Sequence, residues 1–104
     1  MNEKLQVMVE AVWEDSSLLK NPETQAAIKE VIERLDKGEL RVAEPDGEGG
    51  WRVNEWVKKA VILYFPTREM RTMSAGELEF YDKMELKHGY KELGIRVVPP
   101  AAAR

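Results

Sequence analysis

The closing stretch LGIRVVPPAAAR carries two ionisable side chains, Arg96 and Arg104. Arg96 lies between Ile95 and Val97, and in an extended segment alternation turns its side chain away from both neighbours. It therefore faces solvent, or a cleft that holds an anion. A guanidinium fork suits a carboxylate, which it grips through two parallel hydrogen bonds. Carboxylate recognition is the chemistry these residues offer first.

The other reactive residue types offer less. His88 is the single histidine and there is no cysteine, so neither a zinc site nor thiol catalysis is expected, and His88 reads as a turn residue beside Gly89. The absence of cysteine also excludes disulfides and fits a reducing compartment. The pair Ser16–Ser17 has no base nearby in sequence and reads as loop or cap. The glycines of PDGEGGW lack the Lys-Ser/Thr of a phosphate loop and follow no strand-to-helix pattern. Trp13, Trp51 and Trp56 read as core residues, with a protein interface as the alternative use of such side chains. Lys58 and Lys59 lie opposite an apolar stripe, where they hold that face in water.

The elements that position these residues follow from periodicity. Leu5, Met8, Val9, Val12 and Trp13 recur at helical spacing and predict a helix over 2–14. Asn21 is a good N-cap, Pro22 suits the first helical position, and Ile28, Val31, Ile32 and Leu35 continue a second helix over 22–37 that Gly38 stops. The period then changes. Leu40 and Val42 alternate, a turn rich in Asp, Gly and Pro follows, and Trp51 and Val53 complete a β-hairpin. Asn54 caps a third helix whose apolar face is Trp56, Val57, Ala60, Val61 and Tyr64, ended by Pro66. The stretch TREMRTMSAGELEF reads as a loop and LEFYDKMELK as a short strand, with a helical turn in HGYKELG and a final strand over 95–98. The expected fold is α+β and mostly α: one domain over 1–98, with 99–104 leading onward as a linker.

Composition bounds the function. The 104 residues carry a net charge of −3 with acidic and basic side chains interspersed, which gives no stripe for nucleic acid and no global attraction to anionic lipid. No apolar run reaches the roughly 20 residues of a membrane span, and the start, MNEKLQVMVE, is unlike a signal peptide. A cytoplasmic protein with no nucleic-acid or membrane partner is expected.

The segments LDKGELRVAE, WRVNEWVKKAVILYF, FYDKM and GIRVVPPAAAR, in this order and spacing, resemble the N-terminal region of bacterial tetrahydrodipicolinate N-succinyltransferases. The resemblance covers nearly the whole chain and is densest over 35–65 and 94–104. It implies transfer of succinyl from succinyl-coenzyme A to tetrahydrodipicolinate, on the diaminopimelate route to lysine. It implies homotrimers in which a small N-terminal domain leads into a left-handed parallel β-helix of hexapeptide repeats, with active sites between subunits. No hexapeptide repeat occurs in these residues, so the chain reads as the N-terminal domain alone, without the β-helix. Succinyl-coenzyme A is then the co-substrate of the intact enzyme, no cofactor is bound by this chain, and the chain alone is expected to be inactive. Arg96 matches the arginine of the G-[FI]-R-V-V-P-P motif, a substrate-binding position for the dicarboxylate. Arg104 also matches a family arginine and stands as a further candidate with no role assigned. No general base is identified. The alternative expectation is a stand-alone helical interaction module that does no chemistry.

Overall fold

The computed structural model describes residues 2–101 and 103. The chain forms two compact units, divided between Thr67 and Arg68.

The first unit contains three helices. Helix α1 (Asn2–Glu14) is followed by a short 3-10 helix (Ser16–Lys20), α2 (Pro22–Asp36), the strands β1 (Ala43–Pro45) and β2 (Trp51–Val53), α3 (Glu55–Tyr64) and a 3-10 turn (Phe65–Thr67). Leu5, Val9 and Val12 of α1, Ala27, Ile28 and Val31 of α2, and Trp56, Val57, Ala60 and Leu63 of α3 form one buried cluster with Leu40. Val9, Ile28, Val31 and Val57 are fully buried, and each side chain of this size contributes about 1.5–3 kcal/mol by leaving water.

The ends of α2 form as their sequence dictates. The Asn21 carboxamide oxygen accepts from the Glu23 amide at 2.9 Å, with Pro22 in the first turn. At the other end Gly38 takes φ 78°. Its amide donates to the Leu35 carbonyl and that of Glu39 to the Arg34 carbonyl, the paired bonds of a Schellman motif. Leu40 also donates to Arg34 and is buried, so β1 begins only at Ala43. The expected alternation of Leu40 with Val42 is thus absent: Leu40 belongs to the helix exit and seals the core.

Two of the three tryptophans depart from the expected core. Trp56 is 9% exposed, but Trp13 is 41% and Trp51 66% exposed. Trp51 pairs with Pro45 on a hairpin face shared by Ala43 and Val53, while the Arg41 guanidinium lies 6.0 Å from its ring centroid. Trp13 sits at the rim of the helical face with the Lys59 ammonium 5.6 Å from its ring, so Lys59 serves the ring as well as solvent.

The second unit holds β3 (Arg71–Ala75), β4 (Leu78–Asp82) and the one-turn helix α4 (Tyr90–Leu93). The expected loop over 67–80 is instead half of a hairpin. Ala75 pairs with Leu78 across a two-residue turn in which Gly76 takes φ 65°, while among the described residues none other than glycine has positive φ. Positive φ at the first central position alone fits a type II′ turn, whose twist matches paired strands. Polar residues masked the alternation here, in which only Met73 is buried. Two antiparallel two-stranded sheets result, both hairpins.

Candidate functional site

Arg96 follows a second glycine-ended helix. Gly94 takes φ 70°; its amide donates to Lys91 at 3.2 Å and the Ile95 amide to Tyr90 at 2.9 Å, again a Schellman motif. A Cβ on Gly94 would meet nothing within 4 Å, so glycine is required there by conformation alone. Downstream, a cis Pro99–Pro100 bond lies in a turn closed by the Ala101 amide on the Val98 carbonyl. The Lys87 amide then donates to the Ala103 carbonyl at 2.9 Å and shuts the loop 87–103.

The final strand expected over 95–98 is not present. Among the described residues no strand pairs with this stretch; Ile95 and Val98 are exposed, and Val97 is half-buried. Its path is set by the motif before it and the proline turn after it, rather than by a ladder. The Arg96 side chain is exposed on this loop. Arg104, the other candidate, lies outside the described residues. Residues 87–96 hold Lys87, Lys91 and Arg96 against the single carboxylate Glu92, which reverses locally the sign of an acidic chain. Such a local excess draws anions toward the guanidinium. His88, in the same stretch, is exposed.

The segment entering this loop is held from the start of the second unit. Arg68 donates from Nε to the Lys83 carbonyl at 3.1 Å, and its Nη2 lies 3.2 Å from Glu85 Oε1.

A second polar cluster lies in the first unit and was not legible as such. Asn54 was expected to cap α3, yet its side chain makes no cap bond. Its amide donates to the Arg41 carbonyl at 2.8 Å and to Glu44 at 3.3 Å, while its backbone amide donates to Val42 at 2.7 Å. Glu44 also pairs with Arg52 across the hairpin. The Arg52 guanidinium, then the Asn54 amide, hold the Glu44 carboxyl below the usual carboxylate range. The signal in sequence was an Asn exactly between strand and helix, which reads equally as cap and as strand tether. A groove of about 220 Å³ beside it is lined by Gly38, Glu39, Leu40, Arg41, Glu44, Asn54 and Trp56. That is below the roughly 300–1,000 Å³ of small-molecule sites.

The glycine-rich turn is committed elsewhere. The Asp46 carboxylate accepts from the amides of Glu48 at 2.7 Å and Gly50 at 3.0 Å, the donors a phosphate would need. These bonds hold the Asp46 carboxyl low. Ser16 and Ser17 open the 3-10 helix, and its cap is Asp15, whose carboxylate accepts from the Ser17 amide at 3.1 Å and from Ser17 Oγ at 2.6 Å. Among the described residues no three His, Cys, Asp or Glu side chains gather as metal ligands, and no helix is long and apolar enough to cross a membrane.

Known proteins place this arrangement in context. The family described as Tetrahydrodipicolinate N-succinyltransferase N-terminal matches residues 4–67. The 2,3,4,5-tetrahydropyridine-2,6-dicarboxylate N-succinyltransferase of Variovorax paradoxus is 42% identical over 114 aligned positions, covering 100% of this chain and 41% of its own length. Those of Leptothrix cholodnii and Cupriavidus pinatubonensis are 43% and 44% identical, each with 100% of this chain and 42% of the relative covered. The chain thus spans about two-fifths of the length of the curated relatives it matches. With the family matched across α1 to α3 and the likeness running through the Arg96 loop, the chain belongs to the tetrahydrodipicolinate N-succinyltransferase N-terminal family.

Proposed function

We propose that the chain is the N-terminal part of an enzyme that transfers succinyl from succinyl-coenzyme A to tetrahydrodipicolinate in lysine biosynthesis, and that Arg96 grips a carboxylate of the acceptor. The observation that carries this reading is the likeness to named succinyltransferases across the whole chain, the GIRVVPP segment included. The exposed guanidinium on a loop with an excess of cations supports the assignment of Arg96.

In this reaction water first adds across the ring C=N bond of tetrahydrodipicolinate. This leaves an N–H on the nitrogen and, on ring opening, a keto group in the product. That nitrogen forms a bond to the thioester carbonyl carbon. The tetrahedral oxyanion collapses, the carbon–sulfur bond breaks, the nitrogen loses a proton and coenzyme A leaves as its thiol. Arg96 is remote in role from those bonds. It holds the dicarboxylate alike in the ground state and the transition state, so its contribution is read in KM. The groups that stabilise the oxyanion and bind the thioester, and the homotrimer that assembles the site, belong in this reading to the part of the relatives beyond this chain's span.

Coenzyme A release, measured with both substrates, tests the proposal. The full-length gene product is expected to release it, and these 104 residues alone are not. Turnover by the chain alone would contradict this division of labour. No turnover by either would favour a non-catalytic interaction module.

A further inference from the structure

We propose that Arg68 is a positioning residue for Arg96, an inference that rests on the reading of Arg96 as the carboxylate-binding group. Between the end of β4 at Asp82 and the start of α4 at Tyr90 the chain forms neither helix nor strand. Among the described residues, contacts at Lys83, Glu85 and Lys87 hold its path there. Arg68 supplies two of them, the Nε–H bond to the Lys83 carbonyl and the ion pair with Glu85. The third is the Lys87 amide on the Ala103 carbonyl, which closes the loop that carries Arg96.

The geometry is that of an extra rung below the hairpin. Arg71 and Asp82 are the last paired residues of β3 and β4. Arg68 stands three residues before that pair, and its two contacts fall one and three residues after it. The guanidinium spans this gap because it is a planar fork: one N–H meets a backbone carbonyl while another meets a carboxylate. The Arg68 side chain is 25% exposed but that of Glu85 is 60%, so solvent screens the ion pair and the bond to the Lys83 carbonyl is the firmer of the two anchors. Without the fork, residues 83–86 lose both side-chain anchors, and the Lys87 amide no longer meets Ala103 from a fixed position. Arg96 would then keep its charge and exposure but lose its aim.

Lysine cannot replace this function fully. It keeps a charge for Glu85 but has no second N–H in the plane to hold the Lys83 carbonyl.

The test is steady-state kinetics of the full-length gene product with Arg68→Ala, Arg68→Lys, Glu85→Gln, Arg96→Ala and the double variant Arg68→Ala/Arg96→Ala. Arg68→Ala is expected to raise KM for the dicarboxylate about tenfold, the low end of what complete loss of a hydrogen bond to a charged group costs. KM for succinyl-coenzyme A and kcat should stay within about twofold. Arg68→Lys should fall between wild type and Arg68→Ala. Glu85→Gln, which retains shape, should raise the same KM about threefold and serves if Arg68→Ala does not fold. Because Arg68 acts through Arg96, adding Arg68→Ala to Arg96→Ala should raise KM no further. Full additivity, or equal rises for both substrates, would overturn the inference and mark Arg68 as a structural residue only. If Arg96→Ala raises KM and neither Arg68→Ala nor Glu85→Gln does, the positioning role alone fails. If Arg96→Ala itself has no effect, the carboxylate-binding reading fails and this inference falls with it.

Discussion

Asn54 shows how a residue's type can be right and its role misread. Asparagine before a helix suggests a side-chain cap, yet here the carboxamide faces back to Arg41 and Glu44 and ties the hairpin to the start of α3. The distinction can be measured, because aspartate is as good a cap as asparagine but donates no hydrogen bond. Asn54→Asp is expected to destabilise the chain by about 1 kcal/mol, the typical worth of one such bond. The new carboxylate would also face that of Glu44. Denaturant unfolding that shows unchanged or greater stability would restore the capping role. At Arg96 the reverse holds: the sequence motif offers the residue as a candidate, while the loop that presents it could not be read. Its support comes from two glycine-ended bonds, a proline turn and the contact of Lys87 with Ala103, three features without a periodic signal.

At the scale of elements, legibility followed the strength of the period. The helices were readable because their apolar residues repeat over three or four turns and because Asn21, Pro22 and Gly38 mark the ends of α2. β3 was not, because a hairpin with one buried residue per strand pair leaves little alternation to read. The Gly76–Glu77 turn was the available clue. The β1–β2 hairpin is held by charge more than by burial, which gives it a pH dependence. Glu44 is held low chiefly by Arg52, and Asp46 by the amides of Glu48 and Gly50. A carboxyl whose folded pKa is depressed takes up its proton in the unfolded chain first as pH falls. The stability it contributes is therefore full above the ordinary carboxylate range and is lost as pH drops through the depressed value. NMR titration should show the Glu48 and Gly50 amide shifts moving only below the ordinary range of aspartate. Midpoints at or above that range would contradict the bonding described for Asp46.

Across the whole molecule, burial is uneven. The core cluster draws entirely on residues between Leu5 and Leu63, whereas Met73 is the only buried hydrophobic among the described residues after Thr67. Leu78, Phe80, Tyr81, Leu93, Ile95 and Val98 are exposed. Local stability follows buried apolar area, so hydrogen exchange should be slowest at the amides of α2 and α3 and faster over 83–98. Equal protection in both stretches would contradict this distribution. The weakly buried second unit carries Arg96, and sequence composition alone gave no hint that the candidate site would lie outside the core-bearing unit.

The most direct measurement of the central claim is the ratio of KM changes on Arg96→Ala in the full-length gene product. Hydrogen bonds to a charged group are worth about 1.5–3 kcal/mol, which corresponds to roughly 10- to 150-fold. Arg96→Ala is expected to raise KM for the dicarboxylate by that factor, with KM for succinyl-coenzyme A nearly unchanged. Equal changes in both, or none in the first, would contradict it.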